Sequence, residues 1–135
     1  MFTDTLQNKN KFHLLNVKNQ LVDLSVYSLS EIIDYISQNS TNQINFYWLG
    51  RFDYHDAWDL QKKIQQKIIN NNLNDVILFL EHDPVYTMGK NADSSNLLPS
   101  KPANMKVVQT DRGGDITYHG PGQLVGYPII DLKRH

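Results

Sequence analysis

Asp111-Arg112-Gly113-Gly114-Asp115-Ile116-Thr117-Tyr118-His119-Gly120-Pro121-Gly122-Gln123 holds four of the chain's seven glycines within thirteen residues. Apolar runs flank it, Val107–Val108 before and Leu124–Ile130 after. Ordered glycine costs backbone entropy and brings no side chain to pack. A cluster this dense therefore marks places where the chain bends through positive φ or where something approaches closely. Lys106–Gln109 reads as a strand entering the stretch, and Ile116–His119 and Leu124–Ile130 as strands on either side of the Gly120-Pro121-Gly122 turn. The charged Arg112, the hydroxyl of Thr117, the phenol of Tyr118 and the imidazole of His119 stand among the glycines. That mixture reads as a site and not as a plain turn.

Outward from this stretch, the chain supplies the rest of a small α/β domain. Ile44–Leu49 is rich in β-branched and aromatic residues and ends at Gly50, the pattern of a strand. Asp53 and Asp56 then give an N-cap and first-turn acid signal for a helix running to about Asn70. Ala57, Leu60, Ile64 and Ile68 form its inner stripe, and Lys62, Lys63, Gln65, Gln66 and Lys67 its wet face. Val76–Leu80 is a continuous apolar run, as expected of a strand covered on both faces. Pro84 blocks regular continuation of its ladder, and Val85–Gly89 forms a further short strand. Lys90–Met105 is a long loop of the kind that often serves binding.

Upstream, Ser28-Leu29-Ser30-Glu31 has the capping-box pattern, and Leu29, Ile32, Ile33 and Ile36 carry a helix to about Gln38. Leu21–Tyr27 alternates weakly and suggests a short strand. Residues Met1 to about Asn19 are rich in Asn, Lys and Gln and suggest an accessory or poorly ordered segment. The polar Asn39–Gln43 divides residues 1–43, an extension with no assigned role, from a core domain over 44–135. The sum is an α/β (or α+β) class with a mixed sheet backed by helices.

Composition narrows the function. A formal net charge of −1 over 135 residues, with acidic and basic residues interspersed, gives no electrostatic case for nucleic acid or an anionic membrane. Without cysteine there is no disulfide, thiolate metal site or thiol nucleophile in these residues. No apolar run approaches the ~20 residues needed to span a bilayer. The N-terminus lacks a basic and apolar signal pattern, and the first arginine is Arg51, so a cytoplasmic protein is expected.

Three chemistries compete for the glycine stretch. A phosphate cradle would need Gly-Lys-Ser/Thr or Gly-x-Gly-x-x-Gly opening a helix, and neither is present. A metal site finds no histidine pair at ligand spacing. His55 and Asp59 share a helix face, but Glu81, His82 and Asp83 are contiguous and diverge on a strand. The third is acyl recognition, for which Gly113–Gly114 can turn backbone N–H groups toward a ligand oxygen and leave room for an apolar chain beside the sheet. Thr117 and His119 share a strand face. His119 either orients a substrate or is a structural histidine that anchors the glycine turn. Arg112 either serves the site or makes a surface pair with Asp111 or Asp115. The pattern leaves both questions open.

The residues from Arg112 to Gln123 resemble the signature of the lipoate-protein ligase B family, the lipoyl (octanoyl) transferases. Leu49-Gly50, Tyr54 and Ala57-Trp58-Asp59-Leu60-Gln61 resemble the family's first strand and helix. Glu81-His82-Asp83-Pro84-Val85-Tyr86-Thr87-Met88-Gly89 is similar to its Glu-His-x-Pro-x-Tyr-Thr-x-Gly segment. The resemblance covers about Asn45 to His135. It implies a fold shared with lipoate and biotin protein ligases and an enzyme that moves octanoyl from acyl carrier protein to a lipoyl-domain lysine. Partners implied are octanoyl-acyl carrier protein, the lipoyl domains of 2-oxoacid dehydrogenases and the glycine cleavage H protein, with no cofactor and no metal.

The resemblance further implies that Arg112, Gly113, Gly114, Asp115, Ile116, Thr117, Tyr118 and His119 line the octanoyl pocket. In the family a cysteine takes the acyl group as a thioester and a lysine activates that thiol. Both lie C-terminal to the signature, beyond His135, and Lys133 does not match the catalytic lysine. The chain is thus expected to be the N-terminal portion of such a domain, C-terminally incomplete and inactive alone. The alternative is a non-catalytic acyl- or lipoyl-domain-binding module. An ATP-dependent lipoate ligase fits less well, since such enzymes carry a Ser-Gly-Gly-Gly type loop followed by His-Asp.

Overall fold

The computed structural model describes residues 24–97 and 101–135. The segment Met1–Asn19 and the first part of Leu21–Tyr27 lie outside these residues. The described part of the latter is a turn, not a strand: the Tyr27 N–H donates to the Leu24 carbonyl at 3.2 Å. Leu24 is buried in the main hydrophobic cluster, so its burial sets this turn and its backbone joins neither sheet.

Helix α1 spans Leu29–Asn39 and opens with the expected capping box, Ser28 and Glu31 each satisfying the other's backbone N–H. Strand β1 (Asn45–Phe52), helix α2 (Tyr54–Ile69) and strand β2 (Val76–His82) form a βαβ unit in which β1 and β2 run parallel. A parallel pair needs a long crossover, and α2 supplies it. Asp53 caps α2 by accepting from the His55 and Asp56 N–H groups. Ala57, Leu60, Ile64 and Ile68 are buried at the predicted spacing, and Asn71 at φ 58 turns the chain out after the last turn.

Strand β1 does not end at Gly50. It continues to Phe52 through a register shift between Trp48 and Arg51, which Gly50 accommodates at φ 69. Strand β2 is not covered on both faces either, since its residues alternate buried and half-buried. Both helices lie on one side, where Val76, Leu78 and Leu80 join Ile32, Ile36, Leu60 and Ile64 in one cluster. Each such side chain, removed from water, contributes about 1.5–3 kcal/mol. The opposite face carries Ile77 and Phe79, and Phe79 stacks on the exposed Phe46 with ring centroids 6.4 Å apart.

The mixed α/β architecture is present, with its strands shared between two three-stranded sheets. The first has the order β1-β2-β6, where β6 (Val125–Ile129) pairs antiparallel with β2. The second has the order β4-β3-β5, with β3 (Val85–Met88) parallel to β4 (Lys106–Gln109) and antiparallel to β5 (Ile116–His119). Asp83-Pro84 separates β2 from β3, where a residue without an N–H interrupts the ladder. Among its described residues, the Lys90–Met105 connection contains a short 3-10 turn at Ser94–Asn96.

Candidate functional site

The glycine-rich stretch leaves β4 at Gln109 and returns as β5 at Ile116, so its loop hangs over the ends of β3 and β5. Two backbone bonds fasten it. The Lys90 N–H donates to the Arg112 carbonyl at 2.9 Å, and the Gly89 N–H to the Asp115 carbonyl at 3.3 Å. A Cβ on Gly89 would fall 2.2 Å from the Gly114 oxygen, so the loop can close on β3 only because position 89 has no side chain. Gly114 itself sits at φ +91, where other residues are strained.

Arg112 folds inward under this loop. Its Nη1 donates to the Gly113 carbonyl at 2.9 Å. Its Nη2 lies 3.1 Å from the Asp115 carbonyl, 3.1 Å from the Thr87 carbonyl, 2.8 Å from Thr87 Oγ1 and 2.9 Å from Thr117 Oγ1. This is neither surface pair that the sequence allows. Among the described residues Arg112 has no carboxylate within ion-pair distance and serves backbone and hydroxyl oxygens instead.

The direction of the carbonyls sets the direction of the amides. A trans peptide points its C=O and N–H to opposite sides, and no described peptide bond is cis. The Gly113 oxygen faces Arg112 and the Gly114 oxygen faces Gly89, so the N–H groups of Gly114 and Asp115 face away from the sheet. Neither N–H bonds to another described residue, and both residues are exposed. Adjacent outward amides on a turn of this kind form a small positive concavity suited to a ligand oxygen. Gly113 has nothing within 4 Å of where a Cβ would stand, leaving open space beside them.

A ring cluster lies at the other end of β5. His82 is fully buried, its Nδ1 is 2.9 Å from the Phe52 carbonyl and its Nε2 is 2.8 Å from the Tyr127 hydroxyl. The carbonyl can only accept, so Nδ1 carries the proton and Nε2 accepts from Tyr127. Burial pushes the His82 pKa down; the Phe52 carbonyl opposes this and His119 adds to it. With both nitrogens used, His82 is a structural group. His119 stands 5.6 Å from His82 and 6.3 Å from Tyr54 between ring centroids, and its Nδ1 contacts Gln123 Oε1 at 2.8 Å. That amide oxygen also only accepts, so neutral His119 keeps its proton on Nδ1 and a lone pair on Nε2. Burial raises the Tyr54 pKa, against the pull of Arg112.

The eight candidate residues thus divide. Gly113, Gly114 and Asp115 form the outward rim, and Asp115 ties that rim to the preceding loop through Asn96 Nδ2 at 2.7 Å. Arg112 and Thr117 lie beneath it, with Ile116 half-buried between. Tyr118 points to the opposite face and is 45% exposed beside Tyr86. His119 belongs to the ring cluster. Thr87, Gly89, Gln123 and Tyr127 complete the arrangement; the first three stand in stretches that resemble the family's motifs, but nothing in their residue type gives the contact each makes. A separate groove of about 760 Å³ lies between α2 and the end of β6, and none of the eight residues lines it. Among the described residues no group of three His, Cys, Asp or Glu side chains could hold a metal ion, and no helix is long and apolar enough to cross a membrane.

The described residues form a mixed α/β arrangement that carries a glycine loop with outward amides. Comparison with known proteins gives the family. The chain belongs to the lipoyl protein ligase A/B catalytic domain family, whose pattern it matches over residues 53–135. It is 48% identical over 87 residues to the octanoyltransferase of Gloeobacter violaceus, covering 64% of this chain and 39% of the relative. It is 45% identical over 93 residues to that of Caldicellulosiruptor bescii, covering 66% and 41%. With the octanoyltransferase of Corynebacterium diphtheriae it shares 49% identity over 96 residues, 70% of this chain and 37% of the relative. The chain therefore spans about two fifths of the length of the relatives it matches.

Proposed function

We propose that this chain is the acyl-binding portion of an octanoyltransferase of protein lipoylation. In that reaction octanoyl passes from acyl carrier protein to a lysine of a lipoyl domain, such as those of 2-oxoacid dehydrogenases and the glycine cleavage H protein. The Arg112–His119 segment builds the acyl site, with the Gly114 and Asp115 amides at its rim meeting the acyl carbonyl oxygen. Residues 44–135 form the acyl-binding domain and residues 1–43 its extension, whose α1 packs on the domain's core. On this reading the protein works in the cytoplasm. With no cysteine, the chain cannot form the thioester intermediate itself, so its part is to hold and orient.

The observation that supports this reading is the loop in which the Gly113 and Gly114 carbonyls turn inward and the next two amides turn out. The test is a titration of the 15N-labelled chain with octanoate, followed by NMR, and an assay with octanoyl-acyl carrier protein and a lipoyl domain. Saturable shifts at Gly114 and Asp115 with no transfer are expected. Absence of saturable binding sinks the acyl site, and robust transfer by this chain sinks its assignment as nucleophile-free. The lack of cysteine also favours a second reading, a non-catalytic acyl- or lipoyl-domain-binding module. That module would bind octanoate or a lipoyl domain saturably and would still transfer nothing when the missing part of a related octanoyltransferase is supplied in trans.

A further inference from the structure

Arg112 is the one cation of the glycine stretch and the group best placed, by charge, to receive an acyl carboxylate or thioester oxygen. Its hydrogen bonds argue against that use. An Nη nitrogen carries two hydrogens, and those of Nη2 are shared among four oxygens: Thr87 O, Thr87 Oγ1, Asp115 O and Thr117 Oγ1. Nη1 spends one hydrogen on Gly113 O. All five contacts are to the loop itself or to the strands beneath it.

We infer that Arg112 is a positioning residue for the proposed acyl site: it acts through the carbonyls of Gly113 and Asp115, with Thr87 as its buried anchor, and does not itself meet the ligand. This rests on the acyl-binding reading above and names how that site is held in shape.

The physical case has three parts. Thr87 is fully buried, so its carbonyl and hydroxyl give the guanidinium a fixed seat. The positive fork neutralises the negative ends of the carbonyls it meets: holding the Gly113 carbonyl inward holds the Gly114 amide outward, and the bond to the Asp115 carbonyl pins the loop where it returns into β5. A flat, five-donor guanidinium can span oxygens from residues 87, 113, 115 and 117 at once. A lysine ammonium is a point charge on a flexible stem and cannot. Charge alone is therefore insufficient, and the fork geometry is what the loop requires.

The experiment compares Arg112→Lys, Arg112→Ala and Thr87→Val with the unsubstituted chain. It uses 15N relaxation and amide hydrogen exchange of residues 113–115, and octanoate titration read at the Gly114 and Asp115 amides. Resonances of α2, β1 and β2 report separately whether each variant folds. Arg112→Lys is expected to keep the fold, free the loop and weaken octanoate binding about tenfold. Thr87→Val should act in the same direction, and Thr87→Ser should restore the loop because it restores the hydroxyl. Millimolar guanidinium added to Arg112→Ala should recover ordered Gly114 and Asp115 resonances. The inference is overturned if Arg112→Lys leaves loop order and binding unchanged. It is also overturned if octanoate shifts the Arg112 side-chain resonances in the unsubstituted chain while the Gly114 and Asp115 amides stay still. Failure of the unsubstituted chain to respond to octanoate at all would remove the acyl-binding reading. The ligand-free relaxation and exchange data would then still decide whether Arg112 orders the loop.

Discussion

Tyr127 reaches from β6 to place its hydroxyl 2.8 Å from Nε2 of the buried His82 on β2. Nδ1 of the same ring donates to the Phe52 carbonyl and burial disfavours the charged form, so a neutral imidazole ties β1, β2 and β6 together at one point. Its ordinary pKa of 6.5 is depressed, chiefly by burial. The unfolded chain therefore takes up a proton that the folded chain refuses. Stability is complete above pH ~6.5 and falls as pH drops through the window between that value and the lower folded pKa. Urea denaturation at pH ~8, ~6.5 and ~5 should show this slope, and His82→Gln should abolish it while lowering stability at every pH. Equal slopes in both chains would assign the effect to other groups. Tyr127→Phe leaves Nε2 without its donor and should cost about 1–3 kcal/mol.

Gly89→Ala and Gly113→Ala separate packing from openness in one loop. A Cβ at position 89 meets the Gly114 oxygen at 2.2 Å and its carbonyl carbon at 2.8 Å, both backbone atoms that cannot rotate away. The loop must lift, at a cost of about 1–3 kcal/mol, and octanoate binding should fall with it. At position 113 nothing lies within 4 Å and φ is not positive, so stability should stay within about 0.5 kcal/mol. Gly113→Ala then reports on the ligand alone: weaker octanoate binding at unchanged stability would put the acyl group beside this residue. Equal destabilisation by both substitutions would refute the close-approach role of Gly89.

What the sequence discloses follows how local each cause is. Helix α2 is legible because Asp53 and the Ala57, Leu60, Ile64, Ile68 spacing lie within one segment, and the Ser28–Glu31 capping box is equally self-contained. The one-sided burial of β2 is not legible. Which face of Val76–His82 is covered depends on where α1 and α2 come to rest, and apolar Ile77 and Phe79 occupy the open face. The glycine stretch announces a site, but the partner that shapes it does not: Thr87 lies 25 residues before Arg112 and is an ordinary strand threonine until the register Thr87↔Thr117 brings it under the guanidinium. The family signature covers the same ground because it records the outcome of those long-range contacts without stating their physics.

Asp53 does two jobs whose sizes differ. Its carboxylate accepts from the His55 and Asp56 N–H groups at 2.8 and 3.2 Å, and its other oxygen takes Lys106 Nζ at 2.7 Å, linking α2 to β4. Burial raises its pKa, but Lys106 and the two amides outweigh that and hold it below the usual carboxylate range. An N-cap is worth about 0.5–2 kcal/mol, whereas an ion pair as exposed as this one is worth about 0–1. Asp53→Ala should therefore destabilise by about 1–2 kcal/mol and Lys106→Ala by less than about 0.5. Asp53→Asn keeps a capping oxygen and should fall between them. Because the folded carboxyl is depressed, its contribution is present above pH ~3.8 and lost as pH falls through the folded value, so the Asp53→Ala penalty should shrink in acid. Thermal melts of the three variants at neutral pH and at pH ~3 provide the measurement. A Lys106→Ala chain as unstable as Asp53→Ala would show that the link between α2 and β4, and not the helix cap, carries the energy.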